Sequence, residues 1–162
     1  MARQVPAPTG GAALDLLERV DYADAFAAST SARRRPGEWA RLALDSAPPL
    51  LGRFVRLAHR VLGLRLAPSG SSAHLWGWDV LRDGLDAFVL GVEGALVTPR
   101  IVVTAPPGQV VAATLIRFDH PVAPLLWAGV APIHRAVARR LVDGAVAGTS
   151  CRGSSPHSGE AP

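Results

Sequence analysis

The chain has no lysine and no asparagine, and among its 162 residues it has one cysteine, one tyrosine and one methionine. Without lysine there is no phosphate-loop lysine, no Schiff-base nucleophile and no anchor for pyridoxal phosphate. The single Cys151, within a Gly/Ser-rich stretch, leaves no partner for an internal disulfide and reads as an idle thiol. No run reaches the roughly 20 apolar residues of a membrane span, and Pro6, Pro8 and Gly10 stand where a secretory signal would have its apolar centre. The expectation is a cytoplasmic protein with no membrane span.

All 17 basic residues are therefore arginines. Lysine and asparagine codons are AT-rich, so this composition points to a GC-rich genome. Arginine scarcely titrates below pH 12, so a net charge of only +4 yields a pI near 10.9 without implying a nucleic-acid footprint. The charge is uneven: residues 31–66 carry net +6, and the block 73–120 carries net −2. An anionic partner would meet the front of the chain, but a solvated helix face explains the arginines, and no nucleic-acid partner is expected.

What is present is a pattern. With hydrophobic residues at 49% and charged residues at 19%, the composition is globular, and the length suits one domain with one core. Residues 1–12 read as a flexible arm, 13–146 as the domain and 147–162 as a disordered tail. Leu14, Leu16 and Leu17 suggest a short helical turn leading into a first strand at Tyr22 to Ser29. Pro36 suits the first position of a helix reaching Asp45. A second helix follows Pro48-Pro49, with a predicted stripe of Leu50, Phe54, Leu57, Ala58 and Val61, arginines opposite and Gly63 as stop.

Turn signals at Asp83-Gly84, Glu93-Gly94 and Pro106-Pro107-Gly108 cut the next block into strands near 74–82, 86–93, 96–105 and 109–119, an antiparallel meander. Alternation puts Trp76, Trp78, Phe88, Ile101, Ile116 and Phe118 on one apolar side and Asp79, Glu93, Arg100, Arg117 and Asp119 on the other, so one face is expected to be core and the other wet. A long amphipathic helix, 121–146, presents Val122, Leu126, Val130, Ile133, Val137 and Leu141, with Pro132 expected to kink or divide it near Gly129. The stripe must bury against the apolar sheet face. Trp76, Phe88, Ile101, Ile116 and Ile133 are thus predicted buried, and Arg53, Arg56, Arg135 and Arg139 exposed. The predicted fold class is α+β: a first strand, two helices, a four-stranded antiparallel meander and a long C-terminal helix packed on a curved sheet.

This order resembles the START-like (SRPBCC) superfamily. More narrowly, Asp21-Tyr22-Ala23-Asp24-Ala25-Phe26, the stretch Trp39 to Gly63, Leu90-Gly91, Arg100-Ile101-Val102-Val103 and Pro132-Ile133-His134-Arg135 through Arg140-Leu141 resemble the bacterial family known as domain of unknown function 2867. The resemblance covers about Asp21 to Asp143, departs at the proline-rich Ala105 to Gly108, and implies a helix-grip fold enclosing an apolar cavity between sheet and helix. It carries no established activity and hence no catalytic residues.

The chemistry of individual residues is sparse. Gly70-Ser71-Ser72-Ala73-His74 lacks the closing glycine of a nucleophile elbow and leads into a strand. His74, His120 and His134 lie at a strand start, a strand end and mid-helix, with no ligand spacing, so no metal is expected. His134 falls about 80° around the last helix from Leu126 and on the flank of Trp127, one heptad earlier, where it could act as acid or base or orient a ligand, or be a half-buried core histidine. Thr114 and, if the sheet curls, Arg100 are weaker candidates. An empty cavity of about 300 Å³ would cost roughly 7 kcal/mol, so side chains or a ligand should fill much of the interior. The expected function is binding of a small apolar or amphipathic molecule by Trp76, Trp78, Phe88, Ile101, Thr114, Phe118, Trp127 and His134, with no cofactor. The alternatives are a cyclase or hydratase using the same cavity, and an interaction module presenting the arginine-bearing helix 50–62.

Overall fold

The computed structural model of the protein describes residues 1–7, 17–67 and 73–150. It is an α+β fold: β1 (Arg3–Val5), β2 (Tyr22–Ser29), α1 (Pro36–Asp45), α2 (Pro49–Val61), β3 (His74–Leu75), β4 (Trp78–Asp83), β5 (Ala87–Gly91), β6 (Val97–Thr104), β7 (Gln109–Phe118) and α3 (Ala123–Ser150). The seven strands form one antiparallel sheet in the order β1-β2-β7-β6-β5-β4-β3. The three turn signals join β4 to β5, β5 to β6 and β6 to β7, and the last is closed by Gln109 N–H donating to the Pro106 carbonyl at 3.1 Å, with Gly108 at φ +80°. The predicted helical turn at Leu14 and Leu16 and the tail beyond Ser150 lie outside the described residues, as does the Gly70 to Ser72 loop.

Four expectations are corrected. The arm contains β1, which pairs Arg3 with Ala27 and Val5 with Ala25, while the Ala2 backbone N–H donates to the Asp143 carboxylate on α3. A three-residue edge strand ended by Pro6 is too short to show alternation. The predicted strand 74–82 is in fact a hairpin. Trp76 (φ +54°) and Gly77 (φ +83°) form its two-residue turn, with Leu75 opposite Trp78. Two successive positive φ values are what a type I′ turn requires, and a bulky residue in the first position hid it.

The sheet face away from α3 is apolar at its centre, not wet. Ala25, Val89, Val102, Ala113 and Leu115 are buried there under Leu17, Val20 and Val5. Central strands β6 and β7 carry apolar residues on both faces because both are covered. Polar groups gather at one end of that face, where Arg100 pairs with Glu93 at 2.6 Å and Arg117 with Asp119 at 2.6 Å, and Thr98 donates to Asp119 at 2.6 Å. The Arg100 hydrogen bond, acting against partial burial, holds the Glu93 carboxyl below its ordinary range.

Both long helices match the predicted stripe only in part: Val130, Val137 and Leu141 on α3 and Ala58 on α2 turn inward as predicted, but Val122, Ile133, Leu57 and Val61 do not. On α3 the buried set is Ala123, Trp127, Ala131, Val142 and Ala145, and Ile133 is 45% exposed. Alanine counts for little in a hydropathy stripe, yet its small size lets α3 approach the sheet and α1 closely. Gly144 continues that line: a Cβ there would stand 2.6 Å from Ser46 Oγ at the end of α1. Pro132 lies inside α3 without dividing it, since packing on both sides of the lost hydrogen bond holds the helix together. On α2, Leu57 and Val61 are exposed, while Ala58 turns inward as predicted together with Leu51, Val55 and Leu62. Both sets repeat at spacings of three and four, so the sequence supports either. Arg53, Arg135 and Arg139 are exposed as predicted, and the Arg139 guanidinium lies 5.8 Å from the Phe26 ring centre.

Candidate cavity

A cavity of about 200 Å³ lies between the sheet and the three helices. Its floor comes from Trp78, Leu90, Ile101, Ala112, Thr114 and Ile116, side chains that share one face because each strand alternates. α3 supplies Trp127, Val130, His134, Val137 and Leu141, and α2 supplies Val55, Ala58, His59 and Leu62. Nearly all of this wall is hydrocarbon.

One corner is polar. Asp24 stands on β2 in phase with Phe26 and Ala28, so its carboxylate points to the helix side of the sheet, and its side chain is only 2% exposed. Tyr22 O–H donates to Asp24 Oδ2 at 2.7 Å, and Asp24 Oδ1 faces His134 Nε2 at 3.5 Å. His134 Nε2 is also 3.1 Å from Thr114 Oγ1, and Thr114 is the residue paired with Asp24 across β2 and β7. Trp127 closes the corner, its ring 5.1 Å from Tyr22 and 5.2 Å from His134, centre to centre. Burial alone would raise the Asp24 pKa. Hydrogen bonds from His134 and Tyr22, with smaller help from Thr114, outweigh it and hold the carboxyl below its ordinary value. Burial, reinforced by Asp24, pushes the Tyr22 phenol up, so it remains a neutral donor. Trp127 Nε1–H is buried with no acceptor among the described residues.

His59, on α2 at the opposite wall, stacks at a tilt on Trp78 with ring centres 5.4 Å apart. Burial lowers its pKa to about 4, so its imidazole is neutral at neutral pH.

The sequence-predicted site residues divide as follows. Trp78, Ile101, Thr114, Trp127 and His134 border the cavity. Trp76 borders it from the β3–β4 turn and is 39% exposed, so it forms rim where buried wall was predicted. Phe88 is buried but lies away from the cavity, under the Arg41 guanidinium at 5.2 Å. Phe118 packs beside Trp127 at the end of β7 without bordering the cavity. Arg100 is on the far face of the sheet, because Val97, Pro99, Ile101 and Val103 occupy the cavity side of β6. Asp24, Tyr22 and His59 were not anticipated. For Asp24 there was a signal: an acidic residue at an alternating position shared with Phe26 and Ala28 is out of character for a core strand.

Among the described residues no group of three or more His, Cys, Asp or Glu side chains could hold a metal ion, and no helix is long and apolar enough to cross a membrane. No family model matches the chain, and no curated protein matches it.

Proposed function

We propose that the chain is a START-like domain of helix-grip type, akin to domain of unknown function 2867, and that it binds a small apolar or amphipathic molecule in its cavity within the cytoplasm. The observation that carries this reading is the cavity itself, about 200 Å³ of largely apolar space between sheet and helices. At about 24 cal/mol per Å³ such a space left empty costs roughly 5 kcal/mol, a large share of the 5 to 15 kcal/mol that holds a domain folded. A ligand removes that cost. Trp76 adds support: a tryptophan held at φ +54° is strained, and it sits at the rim of the cavity, where strain is tolerated for the sake of a binding surface.

The test is native mass spectrometry of the purified protein together with titration of the apolar fluorophore N-phenyl-1-naphthylamine. Wild type is expected to carry a small-molecule mass or to bind the fluorophore. Ala112→Phe, which projects a ring from the sheet into the cavity, is expected to lose both and to unfold at higher denaturant. A wild type with no bound mass and no fluorophore binding overturns the reading.

A further inference from the structure

The polar corner of the cavity is more than a hydrogen-bonding patch. The two oxygens near His134 Nε2 are Thr114 Oγ1 at 3.1 Å and Asp24 Oδ1 at 3.5 Å. An ionised carboxylate can only accept. The tautomer that suits the carboxylate carries its hydrogen on Nε2 and its lone pair on Nδ1, for which the described residues offer no hydrogen-bond partner. The His134 side chain is 21% exposed and borders the cavity, while Asp24 behind it is sealed from solvent. An imidazole backed by a buried carboxylate, with one ring nitrogen left without a protein partner, is the arrangement of a general base.

We propose that this corner is a proton-transfer site, in which His134 Nδ1 removes a proton from the carbon next to the carbonyl of a small, uncharged, largely apolar ketone. His134 is the catalytic residue, and Asp24 and Thr114 are positioning residues that act through it. In the step the substrate C–H bond breaks and an N–H bond forms on Nδ1. The C–H electron pair becomes a carbon–carbon double bond as the carbonyl π pair moves to oxygen, giving an enolate. Return of the proton to the same carbon, or to one conjugated with it, restores the base, so the reaction class is enolisation or double-bond isomerisation and needs no co-reactant. The imidazolium formed in between is stabilised by the Asp24 carboxylate. The apolar wall explains why the substrate is uncharged: an ionised group would lose its hydration there with no counter-charge in reach. The space also sets its size, since about 150 Å³ holds a benzene ring and about 200 Å³ admits a somewhat larger molecule.

This inference rests on the cavity being a binding site, and the experiment separates the two. The probe is 2-tetralone, a compact two-ring ketone, in D₂O. Binding is read from quenching of tryptophan fluorescence, and proton transfer from the loss of its α-proton signals by NMR. Wild type is expected to exchange these protons roughly 10²-fold faster than buffer, the lower range for a positioned base. His134→Gln is expected still to quench on addition of the ketone, with whatever change in affinity the lost ring brings, and at saturating ketone to exchange at the buffer rate. Asp24→Asn is expected to lower the exchange rate at saturating ketone about tenfold without moving the half-saturating concentration. Should Asp24→Asn fail to fold, Thr114→Val, which keeps the shape and removes the hydroxyl, serves as the second positioning variant with the same expected split. Wild type that binds the ketone and exchanges at the buffer rate overturns the proposal and leaves the binding site intact, as does a His134→Gln protein that exchanges like wild type. Binding of the naphthylamine fluorophore but not of the ketone also overturns it. Failure to bind either molecule removes the cavity reading, and this proposal with it.

Discussion

Asp24 on β2 and His134 on α3 meet with Oδ1 and Nε2 3.5 Å apart, beside the Thr114 hydroxyl of β7. The carboxylate has a second hold from Tyr22, whose hydroxyl donates to it at 2.7 Å. Tyr22→Phe is expected to cost about 1.5 to 3 kcal/mol of unfolding free energy, the range for a hydrogen bond to a charged group. It should also make the protein less resistant to acid. A carboxyl whose folded pKa is depressed adds stability above its unfolded pKa, near 3.9, and loses it as pH falls through the folded value. Removing the Tyr22 donor raises that folded value, so the acid limb of unfolding should move to higher pH. Urea unfolding at pH 7 and circular dichroism between pH 2 and pH 6, on wild type and variant, measure both. Identical acid limbs would mean that Tyr22 does not hold the carboxylate.

His59 should govern a second, milder acid sensitivity. Its folded pKa of about 4 lies below the ordinary 6.5, so stability is full above 6.5 and falls as pH drops toward 4. The loss is on the order of 2 to 3 kcal/mol. His59→Leu keeps an apolar wall and removes the titration. Denaturant unfolding at pH 7 and pH 4.5 should therefore show a drop for wild type that is much reduced in the variant, and an equal drop in both would assign the sensitivity elsewhere.

The β3–β4 turn depends on glycine at its second position. Gly77 has φ +83°, and a Cβ there would lie 3.0 Å from the Ala67 carbonyl oxygen and 3.1 Å from Leu66 Cβ. Gly77→Ala is expected to cost about 1 to 2 kcal/mol. By displacing Trp76 it should also weaken binding of the naphthylamine fluorophore. A variant as stable as wild type, with unchanged binding, would show that neither the turn nor the rim depends on this residue.

Much of the fold is legible residue by residue. Pro36 and Pro49 start α1 and α2, Gly63 at φ +68° follows the end of α2, and three Gly-bearing turns divide the meander where Asp83, Glu93 and Pro106 indicate. Less legible is any feature that depends on which of two equivalent patterns the rest of the molecule selects. Large residues dominate hydropathy and place the α3 stripe through Ile133, but close approach to the sheet favours Ala131 and Ala145, and Ile133 turns out to solvent. Trp76 fits an alternating strand as well as its neighbour Trp78 does. Only the backbone reversal at Gly77 moves it to the rim. Of the polar corner, His134, Thr114 and Trp127 could be singled out in advance, but Asp24 could not be linked to them.

The sequence by itself determined the local elements, since proline, glycine and two-residue alternation act through dihedral preferences and hydrogen-bonding capacity that need only near neighbours. The tertiary structure decided the rotation of α2 and α3, the burial of both faces of β6 and β7, and the meeting of Asp24, Thr114 and His134. Those outcomes depend on side-chain volume and on charge burial summed over segments far apart in the chain, and a one-position turn of a helix changes them without changing its periodicity.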